Sequence, residues 1–270
     1  MLPYTRGIEP IFSLVKKKTL FSPSKIPPMI PATYKKCLTS NFWCVGIGRI
    51  EGTNTRQGKG DRTMKAIYKM TPRKLEGIKT AMASQCPELV EHFENPDALR
   101  DALSTTGAGN KRKILGKSTK VSKGLKQGVL TAVVYLAPAS MSGVNLCPWS
   151  SAGCRAACLR NHGRMAMGLQ TRAQLYKAWW FLLFPVHFLG RLSKEIESLE
   201  RRAKKKGYIP AVRLNGTSDI PWEKTGIYDV HDGVQFYDYT KAPLKRRTVS
   251  VNYHLTYSVS DNKGSLANGQ

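Results

Sequence analysis

Apolar and polar positions follow two different periods along this chain, and each change of period marks an element. From Thr71 the period is helical: Leu75, Ile78 and Met82 recur at intervals of three and four. Pro72 suits a first helical turn. Pro87 ends that helix, and two shorter helices are predicted over residues 87–93 and 96–103. Residues 129–136 form a near-continuous apolar run with three valines and a tyrosine, the pattern of a strand buried on both faces of a parallel sheet. A helix is predicted over 169–184, with Leu175, Trp179 and Leu183 on one side. Pro185 opens the next, in which Leu189, Leu192, Ile196, Leu199 and Ala203 make an apolar stripe closed by Gly207. Three short strands follow at 209–214, 234–237 and 253–257. The fold expected is α/β, a partial (β/α) barrel-like parallel sheet with flanking helices.

Each predicted strand gives way to polar residues at its C-terminal end. In parallel α/β folds the loops at that end converge, and ligands bind there. Asn215, Thr217, Ser218, Asp219, Asp238 and Lys241 are therefore candidate pocket residues. The first four also suit a purely local cap. No glycine-rich nucleotide fingerprint, phosphate loop or hydrolase triad context is present.

The strand at 129–136 leads into the densest chemistry of the chain. Cys147, Cys154 and Cys158 fall within twelve positions, and His162 follows four residues later. Taken singly, each cysteine reads as a small buried hydrophobe. Three together suggest a metal, and a metal before a disulfide in a reducing compartment. Three cysteines with one histidine would close a tetrahedral zinc site. A helix over 154–162 would put Cys154, Cys158 and His162 on one face, although Asn161 and Gly163 argue for a break. Cys37, Cys44 and Cys86 have no matching partners and carry no ligand role.

Charge changes the picture of partners. The chain holds 43 Lys and Arg against 18 acids, a formal net charge of +25, which steers polyanions toward it. Nucleic acid or a nucleotide is the expected partner. Residues 1–63 carry recurrent prolines and few acids, and read either as a disordered basic arm or as an upstream extension of a frame starting at Met64. Residues 64–128 form a helical lead and a Lys-rich loop, and 129–270 the α/β domain with the cysteine cluster. No signal peptide opens the chain, and the most apolar window, 178–190, is too short for a bilayer. No membrane partner is expected.

Several stretches are similar to a known family. They are LAPAS at 136–140, CPWSSAGCRAACL at 147–159, GR at 163–164, PAVRLNGTSDIPWE at 210–223, QFYDYTK at 235–241 and YHLTYS at 253–258. Together they resemble the phage "gene product 88" family. The resemblance implies a phage or viral context, a shared fold and the cytoplasm of the infected host cell as location. Members of that family continue beyond the last strand, so truncation at the C-terminus is expected. A looser resemblance links the cysteine loop to radical S-adenosylmethionine enzymes, which place three cysteines after the first strand of a partial barrel, at tighter spacing than here. It implies a 4Fe–4S cluster held by Cys147, Cys154 and Cys158, with S-adenosylmethionine at the open iron; together with the charge, the expected function is an enzyme of that type acting on nucleotides or nucleic acid. The alternatives are a non-catalytic, zinc-stabilised nucleic-acid-binding protein with His162 as fourth ligand, or an inactive fragment.

Overall fold

The computed structural model describes residues 64–117 and 119–259. Both readings of residues 1–63, and the expected truncation after the last strand, lie outside the described residues.

Helix α1 (Pro72–Gln85) starts where the periodicity does. The Thr71 side chain accepts the Lys74 N–H at 3.4 Å, and Pro72 fills the first turn. The second predicted helix is a 3₁₀ turn, Pro87–His92. Helix α2 (Pro96–Ser104) is capped by Asn95, which accepts the Ala98 N–H at 3.1 Å. The Lys-rich loop is more ordered than its composition suggests. It contains β1 (Leu115–Gly116), α3 (Thr119–Ser122) and a 3₁₀ turn, Lys123–Gln127. Strand β2 (Val129–Val134), α4 (Ala152–Ala156), α5 (Gly168–Leu183) and α6 (Pro185–Lys205) follow. Strand β3 (Ile209–Arg213), α7 (Ile227–Val230), β4 (Gln235–Thr240) and β5 (Tyr253–Tyr257) complete the order.

The five strands make one sheet in sequence order, β1-β2-β3-β4-β5. Strands β2 to β5 are parallel, and β1 pairs antiparallel on the outer edge of β2. Sequential parallel strands are how a (β/α) barrel is laid down, and the described sheet has the open edges β1 and β5. Alternate positions face one core: Leu130, Ala132 and Val134 of β2, Val212 of β3 and Phe236 of β4 pack with α5 and α6.

The α6 stripe is as predicted, with Leu189, Leu192, Ile196, Leu199 and Ala203 all buried. Each of the three leucines and the isoleucine stabilises by about 1.5–3 kcal/mol. The helix's exposed Lys204–Glu200 pair at 2.8 Å is worth only about 0.3–0.5 kcal/mol, so packing fixes this helix. Helix α5 differs from its one-sided expectation. It is buried all round from Gln174 to Leu182, because α2 packs on it as well as α6.

Candidate functional site

The loop after β2 is held in a strained conformation. Ala139 has φ +47°, alone among the described non-glycine residues in being positive, a conformation that persists only where its surroundings impose it. Here they do. Its carbonyl accepts the Leu146 N–H at 3.0 Å, and its own N–H donates to Cys147 Sγ at 3.3 Å. Two helices pin the same loop: Trp179 Nε1 donates to Ser142 O at 3.1 Å and Gln85 Nε2 to Met141 O at 2.8 Å. Gly143, at φ +84°, is pressed so closely on α1 that a Cβ there would stand 2.2 Å from Gly77 O. Beyond it, Ser151 caps α4 by accepting the Cys154 N–H at 3.0 Å. Asn161 Nδ2 then ties the turn back to the carbonyls of Arg155 and Ala156.

These constraints bring the three sequence-predicted cysteines to one pocket of about 140 Å³, whose walls include Ala139, Arg155 and Arg160. Burial pushes the Cys147 thiol up to about 11, the Ala139 N–H opposes this, and Asp219, Cys158 and Cys154 add to the rise. The Cys147 thiol also lies 3.6 Å from Thr217 O. Arg160 donates to Asn161 Oδ1 at 3.2 Å, while its Nε is buried with no partner. His162 is exposed and is not part of this wall. The helical face imagined for Cys154, Cys158 and His162 does not form: α4 ends at Ala156, and Cys158 has ψ 136°. Trp149 stands outside the pocket, with the Arg246 guanidinium 5.1 Å from its ring centre.

The donor set suits a thiolate-held group: three sulfurs on one wall, a backbone N–H directed at one of them, and two arginines to offset negative charge. Among the described residues, however, no three His, Cys, Asp or Glu side chains stand close enough to share an ion. The residues fit such a group in kind, and ligation would require the three cysteines to draw closer together than they stand. A larger cleft of about 590 Å³ lies between α2 and α5. Its charges are already engaged: Arg172 pairs with Glu88, and Arg112 donates to Leu103 O and Thr105 O.

Beside the thiol pocket the strand ends carry a buried polar network that holds most of the candidate pocket residues. Asn215 Oδ1 accepts from Ser218 Oγ, Ile220 N and Trp222 Nε1, and its backbone N–H donates to Asp238 Oδ1 at 2.7 Å. Thr217 Oγ1 donates to Leu136 O, which joins this loop to the end of β2. Asp219 accepts from Thr240 Oγ1, the Lys241 N–H and Arg247 Nη1. The Lys241 ammonium points elsewhere, to Ser258 O and Val259 O. Asp238 is buried and its Oδ2 has no partner. Burial raises its carboxyl to about 8, against the pull of the Asn215 N–H, Arg213 and Arg247. Burial pushes the Tyr68 hydroxyl up to about 12, with Cys147 and Asp219 adding to the rise.

Arg247 is the residue that sequence reasoning missed. Its side chain is 3% exposed and forms ion pairs with Glu223 at 2.6 Å and Asp219 at 3.1 Å. It lies in the run Lys245-Arg246-Arg247, which reads as a solvated basic turn.

An α/β protein with a sulfur-lined pocket at the C-terminal end of a parallel sheet is the class these features define. The chain belongs to the phage gene product 88 family, whose model matches residues 103–269. No curated protein and no solved structure matches the chain. Among the described residues no helix is long and apolar enough to cross a membrane.

Proposed function

We propose that this phage-family protein is an enzyme whose Cys147, Cys154 and Cys158 hold a 4Fe–4S cluster of the radical S-adenosylmethionine type, with nucleotides or nucleic acid as substrate. The observation that carries this reading is that all three cysteines line one pocket at the sheet's C-terminal end. Such a cluster, when bound, supplies one-electron chemistry through an iron that no protein ligand occupies. The chain's own residues support its residence. The Ala139 N–H directed at Cys147 favours the thiolate, and Arg155 and Arg160 put positive charge where three thiolates would gather. Because burial holds the Cys147 proton tightly, metal uptake displaces it and weakens as pH falls.

Zinc held by three cysteines and His162 is the rival, and the exposure of His162 off the pocket wall counts against it. Anaerobic purification with iron, sulfide and zinc analysis separates the two. The cluster reading expects iron and sulfide, their loss in Cys147→Ala, Cys154→Ala and Cys158→Ala, and full retention in His162→Ala. Zinc alone, lost in His162→Ala, would overturn it. Cys86→Ala, a change at a buried thiol of the core, is expected to leave the metal in place.

A further inference from the structure

Helix α6 packs on β2 and β3 from one side of the sheet, and a set of aromatic and cationic residues lies on the other side. On β4, Phe236, Asp238 and Thr240 are buried, while Gln235 and Tyr239 are exposed and Tyr237 is half-buried. On β3, Val212 pairs with Phe236 and faces the core, and Arg213, one residue on, belongs to the other face. The Arg213 guanidinium lies 4.9 Å from the Tyr239 ring centre and donates through Nε to Asn215 O. His254 of β5 pairs with Tyr237 and is exposed. Burial raises the Tyr237 hydroxyl, Arg213 opposes this, and Tyr239, Asp238 and Tyr135 add to the rise. Arg213, Tyr237, Tyr239, His254 and Tyr135 include no acid.

We propose that this face, centred on Arg213, Tyr237 and Tyr239, is a stacking platform for single-stranded nucleic acid. The inference rests on the nucleic-acid part of the function proposed above and specifies where and in what form the strand is held. Side chains two apart on a β-strand stand ~6.6 Å apart, about twice the ~3.4 Å rise per nucleotide of a duplex strand. Two tyrosines so spaced suit bases drawn apart from one another, as in sheet platforms that stack unpaired bases. Charge selects the same occupant. Between Asp101 and Glu195 the chain has no acid and 14 Lys and Arg, and a second copy at +25, or the basic residues 1–63, would be repelled.

The test uses the full chain and a labelled oligothymidylate of about 15 nucleotides, near the upper site size of one such platform, with a duplex of equal length, followed by fluorescence anisotropy. The platform expects tighter binding to the single strand. Tyr239→Ala and Tyr237→Ala are each expected to weaken it roughly 5- to 100-fold, with Tyr239→Trp and Tyr237→Phe close to the unaltered protein and duplex affinity unchanged. Circular dichroism establishes that each variant is folded. Wild-type affinity in both folded alanine variants, or equal losses for duplex and single strand, would overturn the platform. Cys147→Ala separates it from the metal reading. Unchanged oligothymidylate binding there supports the sheet face whatever the metal analysis returns, and loss of binding would move the contact to the cysteine pocket and overturn it.

Discussion

Asp238 is a carboxyl the fold keeps protonated at neutral pH. Its burial raises it to about 8, while an unfolded aspartate ionises near about 3.9. Between these values the folded chain keeps a proton that the unfolded chain releases. Stability from this group is therefore complete below pH ~4 and declines as pH rises toward ~8. His187 and His231, both lowered by burial, act in the opposite sense through the acid part of that range. The difference between wild type and Asp238→Asn isolates the carboxyl. The amide oxygen can still accept the Asn215 N–H, so the variant is expected to fold and to lose the decline in thermal midpoint from pH 5 to pH 8. An unaltered pH profile in Asp238→Asn would show that the decline has another source.

Between elements, α1 and the cysteine loop meet backbone to backbone at Gly77 and Gly143. Gly143 needs both its positive φ and its missing Cβ, since any side chain meets Gly77 O. Gly143→Ala is expected to cost more than ~1 kcal/mol, read from urea unfolding, and to speed modification of Cys147 by a thiol reagent as the loop loosens. Gly190 is the contrast. It lies within α6, and a Cβ there meets nothing within 4 Å, so Gly190→Ala is expected to add ~0.5–1 kcal/mol. If both substitutions had the same sign, close approach would not be what singles out Gly143.

Over the whole molecule, net charge is a long-range property that no single contact expresses. Each Lys or Arg that neutralises a phosphate of a single strand contributes about −0.7 to the slope of log affinity against log salt. Lys111 and Lys113 are exposed on the segment leading into β1. Replacing both with Gln is expected to reduce the slope for oligothymidylate by about 1.4, with little effect on the tyrosine contribution at fixed salt. A slope identical to wild type would assign those two charges to solvation alone.

What the sequence determined by itself was the material that repeats locally. The α6 stripe, the proline-led helix starts and the parallel strands with polar C-terminal ends were legible, because helix and strand periods are set by neighbouring residues. The three cysteines stood out because their types and spacing are local too. Tertiary structure decided the rest. β1 is two residues long and exists because β2 pairs with it and because Glu195, some 80 positions on, accepts the Ile114 and Leu115 N–H groups. Arg247 turned from a surface cation into a buried hub because Glu223 and Asp219 reach it from a separate loop. Ala139 adopts its strained φ because α1 and α5 hold the loop around it. Asn215, Thr217 and Asp219 became a buried network rather than an open rim because the ends of β2, β3 and β4 converge on them. Long-range closure of this kind depends on which partners the fold brings together, and no window of neighbouring residues contains that information.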